Sequence, residues 1–168
     1  MRCIADTAPA PPSSPLPETA PPVHLRGFRL SDVPYVATLV ADALHEHYDP
    51  SLYSSLSAEW SDGFLIAADP TDVPVGFLLG VCQVEREARI LMFAVEREYR
   101  TRGVGALLMS TFLDRSRARA YRRVTLEVRV SNATAIRFYT RFQFSVVDLL
   151  RNYYSDGENG YQMARDLP

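Results

Sequence analysis

Cysteine is scarce in this sequence of 168 residues, and lysine is missing from it. Only Cys3 and Cys82 are cysteines, which excludes the disulfide framework that holds many small secreted domains together. All 18 basic residues are arginines. The low cysteine count favours a reducing compartment as the place where the protein works.

Long apolar runs are also missing. The longest strongly apolar stretch, residues 75–82, falls far short of the ~20 residues that a membrane-spanning helix needs. The N-terminal region has no apolar block of the kind found in signal peptides. From these two absences we expect no membrane partner and a cytoplasmic location.

The chain has no excess of positive charge. Its 18 arginines stand against 20 acidic residues, which gives a formal net charge of -2. Without a global positive field, neither nucleic acid nor anionic lipid is an expected partner, and any bound anion must be held by local groups. The arginines between residues 115 and 123 are interpreted as a solvated helix end, with RNA or ribosome contact as the alternative.

Apolar residues are plentiful enough for one core. They make up 47% of the chain, and the length suits a single domain. Residues 5–22 are the exception, because Pro, Ala, Ser and Thr dominate there and almost nothing could pack. We therefore predict a disordered Pro-rich tail over residues 1–22, with a docking segment as its functional alternative, and one domain over residues 23–168.

Hydrophobic periodicity predicts a mixed α/β domain. The first helix, from Asp32 to Leu44, is expected to bury Tyr35, Leu39 and Val40 on one face with Leu44. Two further helices are predicted over residues 104–120 and 131–142, and an irregular or short-helical connection over residues 48–60. Alternating apolar residues predict strands at residues 24–30, 63–68, 75–84, 89–95, 124–130, 144–150 and 160–163.

The segment after the fourth predicted strand has the features of an anion site. Arg100 and Arg102 precede Gly103 and Gly105, which open a helix. A helix N-terminus presents unpaired N–H groups and partial positive charge, and glycines let a phosphate approach the backbone. A conformational turn explains the glycines equally well. The pattern is neither a dinucleotide-binding G-x-G-x-x-G nor a P-loop, since the third glycine and the Gly-Lys-Ser/Thr ending are absent.

Two later motifs give this turn a family context. Leu126-Glu-Val-Arg-x-Ser-Asn132 and Ala135-Ile-x-Phe-Tyr139 follow Arg100-x-x-Gly103-x-Gly105. Together with a late Tyr-Tyr followed by Asp-Gly, the set resembles the GNAT superfamily of acetyl-CoA-dependent N-acetyltransferases. Within it, the sequence is similar to the RimI-type and archaeal N-terminal acetyltransferases, over residues 23–167.

The resemblance implies a fold and a cosubstrate. The fold is a mostly antiparallel seven-stranded sheet, flanked by about four helices, that splays open between the fourth and fifth strands. The pantetheine arm of acetyl-CoA would lie in that gap, no metal being implied. Its partners would be the main chain of Phe93, Ala94 and Val95, with Asn132 on the cofactor arm. The pyrophosphate would rest on the turn formed by Arg100, Thr101, Arg102, Gly103, Val104 and Gly105.

Glu127 has two interpretations. It shares a strand face with Thr125 and Arg129, and a buried carboxylate seldom lacks a partner. One interpretation is therefore an ion pair with Arg129 or with a neighbouring helix. By resemblance, Glu127 matches the glutamate proposed as general base in RimI-type enzymes, working through a water molecule.

Tyr139 also has two interpretations. It shares a helix face with Ile136 and Phe142, which is typical of a core aromatic. By resemblance it matches the tyrosine that acts as general acid toward the leaving thiolate. Many family members have a glycine where this chain has Gln143, so we expect either a cost of about 1 kcal/mol or a shifted helix end.

Tyrosines mark the acceptor side. The run Asn152-Tyr153-Tyr154-Ser-Asp-Gly157 resembles the family's acceptor loop, in which Tyr153 or Tyr154 could hydrogen-bond a peptide backbone, although an ordinary hairpin is the alternative. Tyr48 ends the run His-Glu-His-Tyr, where the family has the other wall of the acceptor groove. No metal site is expected there, because histidines two residues apart on a helix do not face together.

The resemblance implies an enzyme that acetylates the α-amine of a protein or peptide, of the ribosomal-protein-alanine type or broader. Its partners would be protein N-termini, such as those of ribosomal proteins or nascent chains, and no auxiliary subunit is indicated. Alternatives are a small-amine or lysine N-acetyltransferase and, from another class, a non-catalytic acetyl-CoA-binding regulatory module. The presence of Glu127 and Tyr139 favours an enzyme over that module.

Overall fold

The computed structural model describes residues 22–44, 47–84 and 86–168. Four α-helices lie in this part of the chain: α1 Val33–Leu44, α2 Pro50–Glu59, α3 Val104–Ala118 and α4 Ala133–Arg141. The seven strands are β1 His24–Gly27, β2 Phe64–Ala68, β3 Pro74–Val84, β4 Glu87–Val95, β5 Arg123–Arg129, β6 Ser145–Leu150 and β7 Gly160–Asp166.

The seven strands form one mixed sheet, as the resemblance implied. Their order is β1-β2-β3-β4-β5-β7-β6. Every neighbouring pair is antiparallel except β4 and β5, which are parallel. The connection between those two strands is helix α3, as a parallel pair requires a long crossover.

Alternation along the strands gives the sheet two apolar faces. On one face, Leu65 and Leu78 pack with Leu108 and Phe112 of α3 and with Tyr139 of α4. On the other face, the neighbouring strand residues pack with α1 and α2; this second core includes Val36, Val40, Tyr53, Phe77 and Met92. We call these the α3/α4 face and the α1/α2 face.

The first two helices match most of what was expected of them. Helix α1 buries Val40 and packs Leu39 against the same core, but Tyr35 was wrong, because it is 46% exposed and Val36 is buried instead. Residues 50–59 form a short helix, one of the two forms expected of this connection. Pro50 begins α2 and the side chain of Asp49 accepts a hydrogen bond from the Ser51 N–H over 2.8 Å, which caps the helix.

An extra residue in β4 ends its pairing with β5. Leu79 of β3 pairs with Met92, but the next residue, Gly80, pairs with Ile90. Leu91 is therefore a β-bulge, which bends a strand and can terminate pairing. The parallel ladder between β4 and β5 covers only Glu87–Ile90 and Arg123–Leu126. Beyond Ile90 the two strands diverge, which forms the gap that the resemblance implied.

Helix α4 ends on a left-handed residue that is not glycine. Gln143 has φ +64°, and the Phe144 N–H donates to the Tyr139 carbonyl over 3.1 Å. Gln143 thus takes the left-handed conformation that favours glycine, so the helix end is not shifted and the expected strain of about 1 kcal/mol applies here.

Some expectations lie outside the described residues. Residues 1–21 belong to the predicted Pro-rich tail, and His45 and Glu46 to the run before Tyr48. The division into a tail and a domain from residue 23 stays a prediction. Among the described helices, none has the length and apolar character needed to cross a membrane.

Gly80 offers a test of the packing at the bulge. A Cβ at this position would overlap the ring of Phe112, which is fully buried and cannot move aside cheaply. We expect Gly80→Ala to lower the free energy of unfolding by about 2 kcal/mol through overpacking. Gly27→Ala is the control, because its Cβ would meet nothing within 4 Å. Equal denaturant midpoints for the two variants would contradict this account.

Candidate active site

The gap between β4 and β5 is lined by the strand residues predicted to hold the pantetheine. Phe93, Ala94 and Val95 lie past Ile90, the last residue of β4 that pairs with β5. Their other edge pairs with Leu78, Phe77 and Gly76 of β3. This part of β4 is therefore held in place by β3 and diverges from β5.

The turn after β4 leads into the N-terminus of α3. Thr101 and Gly103 have positive φ values of 61° and 87°, and Gly103 is the N-cap of the helix. The Leu107 N–H donates to the Gly103 carbonyl over 2.9 Å. The N–H groups that precede Leu107, including those of Val104 and Gly105, thus lie in the first turn, where a helix N-terminus attracts anions.

Two arginines flank this turn, and both are exposed. Arg100 turns back toward the sheet, and its Nε donates to the Val95 carbonyl over 2.8 Å. This bond ties the turn to the end of β4. Arg102 precedes the N-cap Gly103. With the helix N-terminus, the turn forms what we call the cradle, residues 100–105.

Gly105 lies where the cradle meets the aromatic rings of Phe93 and Phe138. A Cβ at Gly105 would lie 3.4 Å from Phe93 Cζ and 3.6 Å from Phe138 Cε2. The rings of Phe93 and Phe138 are 5.6 Å apart. The start of α3, the diverging end of β4 and helix α4 therefore meet at one point.

Tyr139 lies in this aromatic cluster on the α3/α4 face. It is 9% exposed, and its ring packs 6.4 Å from Phe93, 5.6 Å from Phe138 and 6.0 Å from Phe144. Burial, with a smaller effect of Tyr154, raises the pKa of Tyr139 far above its usual range. The phenol therefore stays protonated at neutral pH, which suits a proton donor and not a base.

Glu127 is ion-paired, but with a partner other than Arg129. Arg89 of β4 donates from Nε to Glu127 Oε2 over 2.8 Å, and its Nη2 lies 2.7 Å from the same oxygen. Arg129 instead bonds Asp156 and Glu158, each over 2.8 Å. The expectation of a pair with Arg129 was wrong, because β4 brings a closer cation to the carboxylate across the parallel ladder.

The two catalytic candidates lie on opposite faces of the sheet. Leu126 and Val128 belong to the core on the α3/α4 face, so Glu127 between them points to the α1/α2 face. Tyr139 lies on the α3/α4 face. Tyr154 adds a small effect to the raised pKa of Tyr139, and Glu127 adds one to the raised pKa of Tyr154, both after burial.

The loop between β6 and β7, residues 151–159, carries Tyr153 and Tyr154; we call it the acceptor loop. The two rings are 5.2 Å apart at nearly right angles. The Arg129 guanidinium lies 4.0 Å from the Tyr154 ring centre. Burial raises the pKa of Tyr154 to about 12, against the opposing charge of Arg129. Tyr153 is 44% exposed.

Charged groups fasten this loop to the end of β5. Glu158 accepts hydrogen bonds from the Ser131 N–H over 3.0 Å and from Arg129 over 2.8 Å. The Ser131 bond, followed by that of Arg129, lowers the pKa of Glu158 to about 2. Asp156 is the second carboxylate on Arg129. The loop is thus anchored by ion pairs beside Glu127.

Asn132 and Tyr48 lie next to the starts of helices. The Oδ1 of Asn132 accepts from the Ala135 N–H over 3.1 Å and caps α4, so this side chain has a structural role whatever else it binds. Tyr48 is 41% exposed and precedes Asp49, the N-cap of α2. It therefore lies in the connection between the two helices that cover the α1/α2 face.

A family model described as the acetyltransferase (GNAT) family matches residues 33–144. The chain belongs to this family. The resemblance read from the motifs is confirmed, and with it the sheet architecture and the enzyme class: the protein is an acyltransferase.

Individual relatives carry more specific names. The acetyltransferase is 32% identical over 156 residues to the N-alpha-acetyltransferase of Sulfurisphaera tokodaii, a match that covers 86% of this chain and 93% of that protein. Among solved structures, Ard1 from Thermoplasma volcanium has a TM-score of 0.83 at 38% identity, covering 87% and 98% of the two chains. Arabidopsis thaliana Naa50, solved with the bisubstrate analogue CoA-Ac-MVNAL, has a TM-score of 0.78 at 24% identity, covering 86% and 99%, and shares the fold.

Arg89 is the residue of the site that sequence reasoning missed. The expected ion pair of Glu127 required a cation, but the register that places Arg89 opposite Thr125 is not readable from local sequence. Alternation along β4 puts Arg89 on one face of the strand and the buried Ala88 and Ile90 on the other. This pattern identifies Arg89 as part of a polar face but does not identify the residue that it contacts.

The acetyltransferase also has a cavity away from this site. Its volume is about 270 Å³, and it lies at the far end of α3. The lining residues are Trp60, Asp62, Arg115, Ala118 and Arg119. None of them is among the predicted site residues.

A charge placed at Gly105 tests the cradle. Because its Cβ would meet only ordinary contacts, Gly105→Ala is expected to retain acetyl-CoA binding. Gly105→Glu would add a negative charge within the first turn of α3, between the cradle and the rings of Phe93 and Phe138, and like-charge repulsion should weaken acetyl-CoA binding at least about hundredfold. Isothermal calorimetry measures both, with Ser110→Glu, exposed on the same helix, as the charge control. Parent-like affinity in Gly105→Glu would rule out the cradle.

Proposed function

We propose that this acetyltransferase transfers the acetyl group of acetyl-CoA to the α-amine of a protein or peptide. The observation that supports it most directly is the placement of Glu127 and Tyr139 on opposite faces of the sheet, beside the gap between β4 and β5. The names of the archaeal relatives support the α-amine as acceptor. The proposed acceptors are protein N-termini, such as those of ribosomal proteins or nascent chains, met in the cytoplasm.

The cradle and the gap are the proposed acetyl-CoA site. The first turn of α3 with Arg100 and Arg102 offers main-chain and charge-assisted donors to phosphates. Phe93, Ala94 and Val95 offer main-chain groups in the gap to the amides of pantetheine, and Asn132 adds its side-chain amide. That Naa50 was solved with the bisubstrate analogue CoA-Ac-MVNAL supports acetyl-CoA as the cosubstrate.

The proposed roles of the two side chains follow from their environments. Glu127, directly or through a water molecule, takes a proton from the α-ammonium group. The neutral nitrogen then forms a bond to the thioester carbonyl carbon and the carbon–sulfur bond breaks. Tyr139, a buried phenol with a raised pKa, gives its proton to the departing thiolate. The acylated nitrogen loses its second proton to water, and Tyr139 regains a proton from water. The products are an N-acetylated chain, CoA and one released proton.

The acceptor amine can be argued from acidity. An α-amine has a pKa near 7.7 to 8.0, so roughly one-seventh is neutral at pH 7, whereas lysine, near 10.4, is neutral in about one molecule in 2,500. One carboxylate that already shares Arg89 is a modest base, which suits the α-amine. Tyr48, Tyr153 and Tyr154 would hold the first residues of an extended chain.

Removing the two reactive groups tests their roles. We expect Glu127→Gln and Tyr139→Phe each to lower kcat by about a hundredfold or more while acetyl-CoA affinity stays within a few-fold. The matched controls are Glu59→Gln, exposed at the end of α2, and Tyr121→Phe, a buried tyrosine that packs on Trp60. Steady-state kinetics and calorimetry give the two numbers. Full turnover in both variants would make Glu127 and Tyr139 structural residues.

The acceptor class is tested with a peptide panel. Peptides with a free N-terminus, especially those that begin with Met or a small residue, are expected to be acetylated at the α-amine, and N-blocked lysine peptides far more slowly. Tandem mass spectrometry locates the acetyl group. Because the enzyme itself contains no lysine, acetyl-lysine in the mixture can come only from the acceptor. Lysine acetylation with untouched free N-termini would favour a lysine acetyltransferase instead.

A further inference from the structure

One guanidinium group joins two parts of the proposed site. Arg89 lies directly before Ile90, where the β4–β5 pairing ends. Its Nε and Nη2 both contact Glu127 Oε2, at 2.8 and 2.7 Å. Its Nη2 also donates to the Tyr153 hydroxyl over 3.0 Å. Arg89 therefore connects the proposed base on β5 to the acceptor loop.

The ion pair is partly shielded from water. The side chains of Arg89 and Glu127 are 24% and 10% exposed, whereas those of the Arg117–Asp114 pair on α3 are 33% and 75% exposed. Burial opposes the charge on Arg89, but the hydrogen bond and charge of Glu127, with help from Tyr153, outweigh it and raise the pKa of Arg89. Exposed ion pairs hold their side chains only loosely. A shielded pair such as that of Arg89 and Glu127 holds both side chains in place.

The contact with Arg89 also determines that the Tyr153 hydroxyl accepts from the guanidinium and donates its own proton elsewhere. A phenol hydroxyl can donate one hydrogen bond and accept others, whereas a guanidinium only donates. Tyr153 must therefore accept from Arg89, and its own O–H is left to donate to another group. Since the Tyr153 side chain is 44% exposed, that group can belong to a bound peptide, and a donor fits a backbone carbonyl.

We propose that Arg89 is a positioning residue that holds Glu127 for deprotonation of the acceptor amine and orients the Tyr153 hydroxyl toward the acceptor backbone. This inference rests on the proposed function. The two contacts have separable consequences, since the one with Glu127 acts on kcat and the one with Tyr153 acts on the KM of the acceptor peptide. The cradle, built from residues 100–105, is left unchanged.

Two substitutions at Arg89 separate the consequences. Arg89→Met keeps the length of the side chain without its charge, and we expect kcat to fall about tenfold and the acceptor KM to rise several-fold, with the acetyl-CoA KM unchanged. Arg89→Lys is expected to restore most of kcat, because an ammonium group can hold Oε2. It should leave the acceptor KM raised, because a point charge lacks the fork that reaches Glu127 and Tyr153 together.

A double-mutant cycle distinguishes positioning from a general structural role. In the Glu127→Gln background, Arg89→Met should change kcat by no more than about twofold, since the residue it positions is gone. Tyr153→Phe should raise the acceptor KM as Arg89→Met does and leave kcat near the parent value. A structural role for Arg89 would lower kcat by one factor in both backgrounds. Arg117→Met, which breaks the exposed pair on α3, is the control.

The outcomes are unambiguous. Thermal melts followed by circular dichroism report folding; should Arg89→Met unfold, Arg89→Lys and Tyr153→Phe carry the test, because both are expected to raise the acceptor KM while kcat stays near the parent value, and an unchanged acceptor KM in both would overturn the inference. Parent-like kinetics in the Arg89 variants, or equal kcat losses with and without Glu127, would overturn the inference alone. A parent enzyme that acetylates no α-amine would overturn the proposed function and this inference with it.

Discussion

The active site depends on one extra residue in β4. Leu91 is the extra residue that the bulge inserts into β4. Because of it, Ile90 packs on the α3/α4 face whereas Met92, two residues later, packs on the α1/α2 face. Without the bulge, the parallel ladder could run along both strands and the main chain beyond Ile90 would be paired with β5. The bulge therefore converts a continuous sheet into a sheet with an opening.

Tyr139 and Glu127 lie in two different electrostatic environments, one on each face of the sheet. Tyr139 lies among aromatic rings on one face, where burial favours its neutral form, and Glu127 lies on the other face beside the positive charge of Arg89. A proton donor and a proton acceptor need opposite surroundings. The two faces of the sheet supply such surroundings to the proposed donor and the proposed acceptor.

Most of the fold could be predicted from the sequence, because strands and helices differ in the period of their apolar residues. Helix α3 and the seven strands were predicted in this way. The bulge could not be found, because residues 90–95 are all apolar and an extra residue leaves no mark on such a run. The partner of Glu127 could not be found either, since Arg89 is 38 residues away and the register is a tertiary property. For helix α2 the sequence left a short helix and an irregular connection open, because its serines weaken the apolar pattern, although Asp49-Pro50 is a readable start signal.

The acceptor loop is held differently from the catalytic groups. Its anchors are the Arg129 pairs with Asp156 and Glu158, whose carboxylate side chains are 58% and 28% exposed, and exposed ion pairs are weak and screened by salt. Glu127 and Tyr139 are held by strand pairing, a shielded ion pair and aromatic packing. The loop can therefore adapt its shape at little cost, while Glu127 and Tyr139 keep their places. The proposed function thus assigns acceptor binding and proton transfer to parts of the fold that are held with different strength.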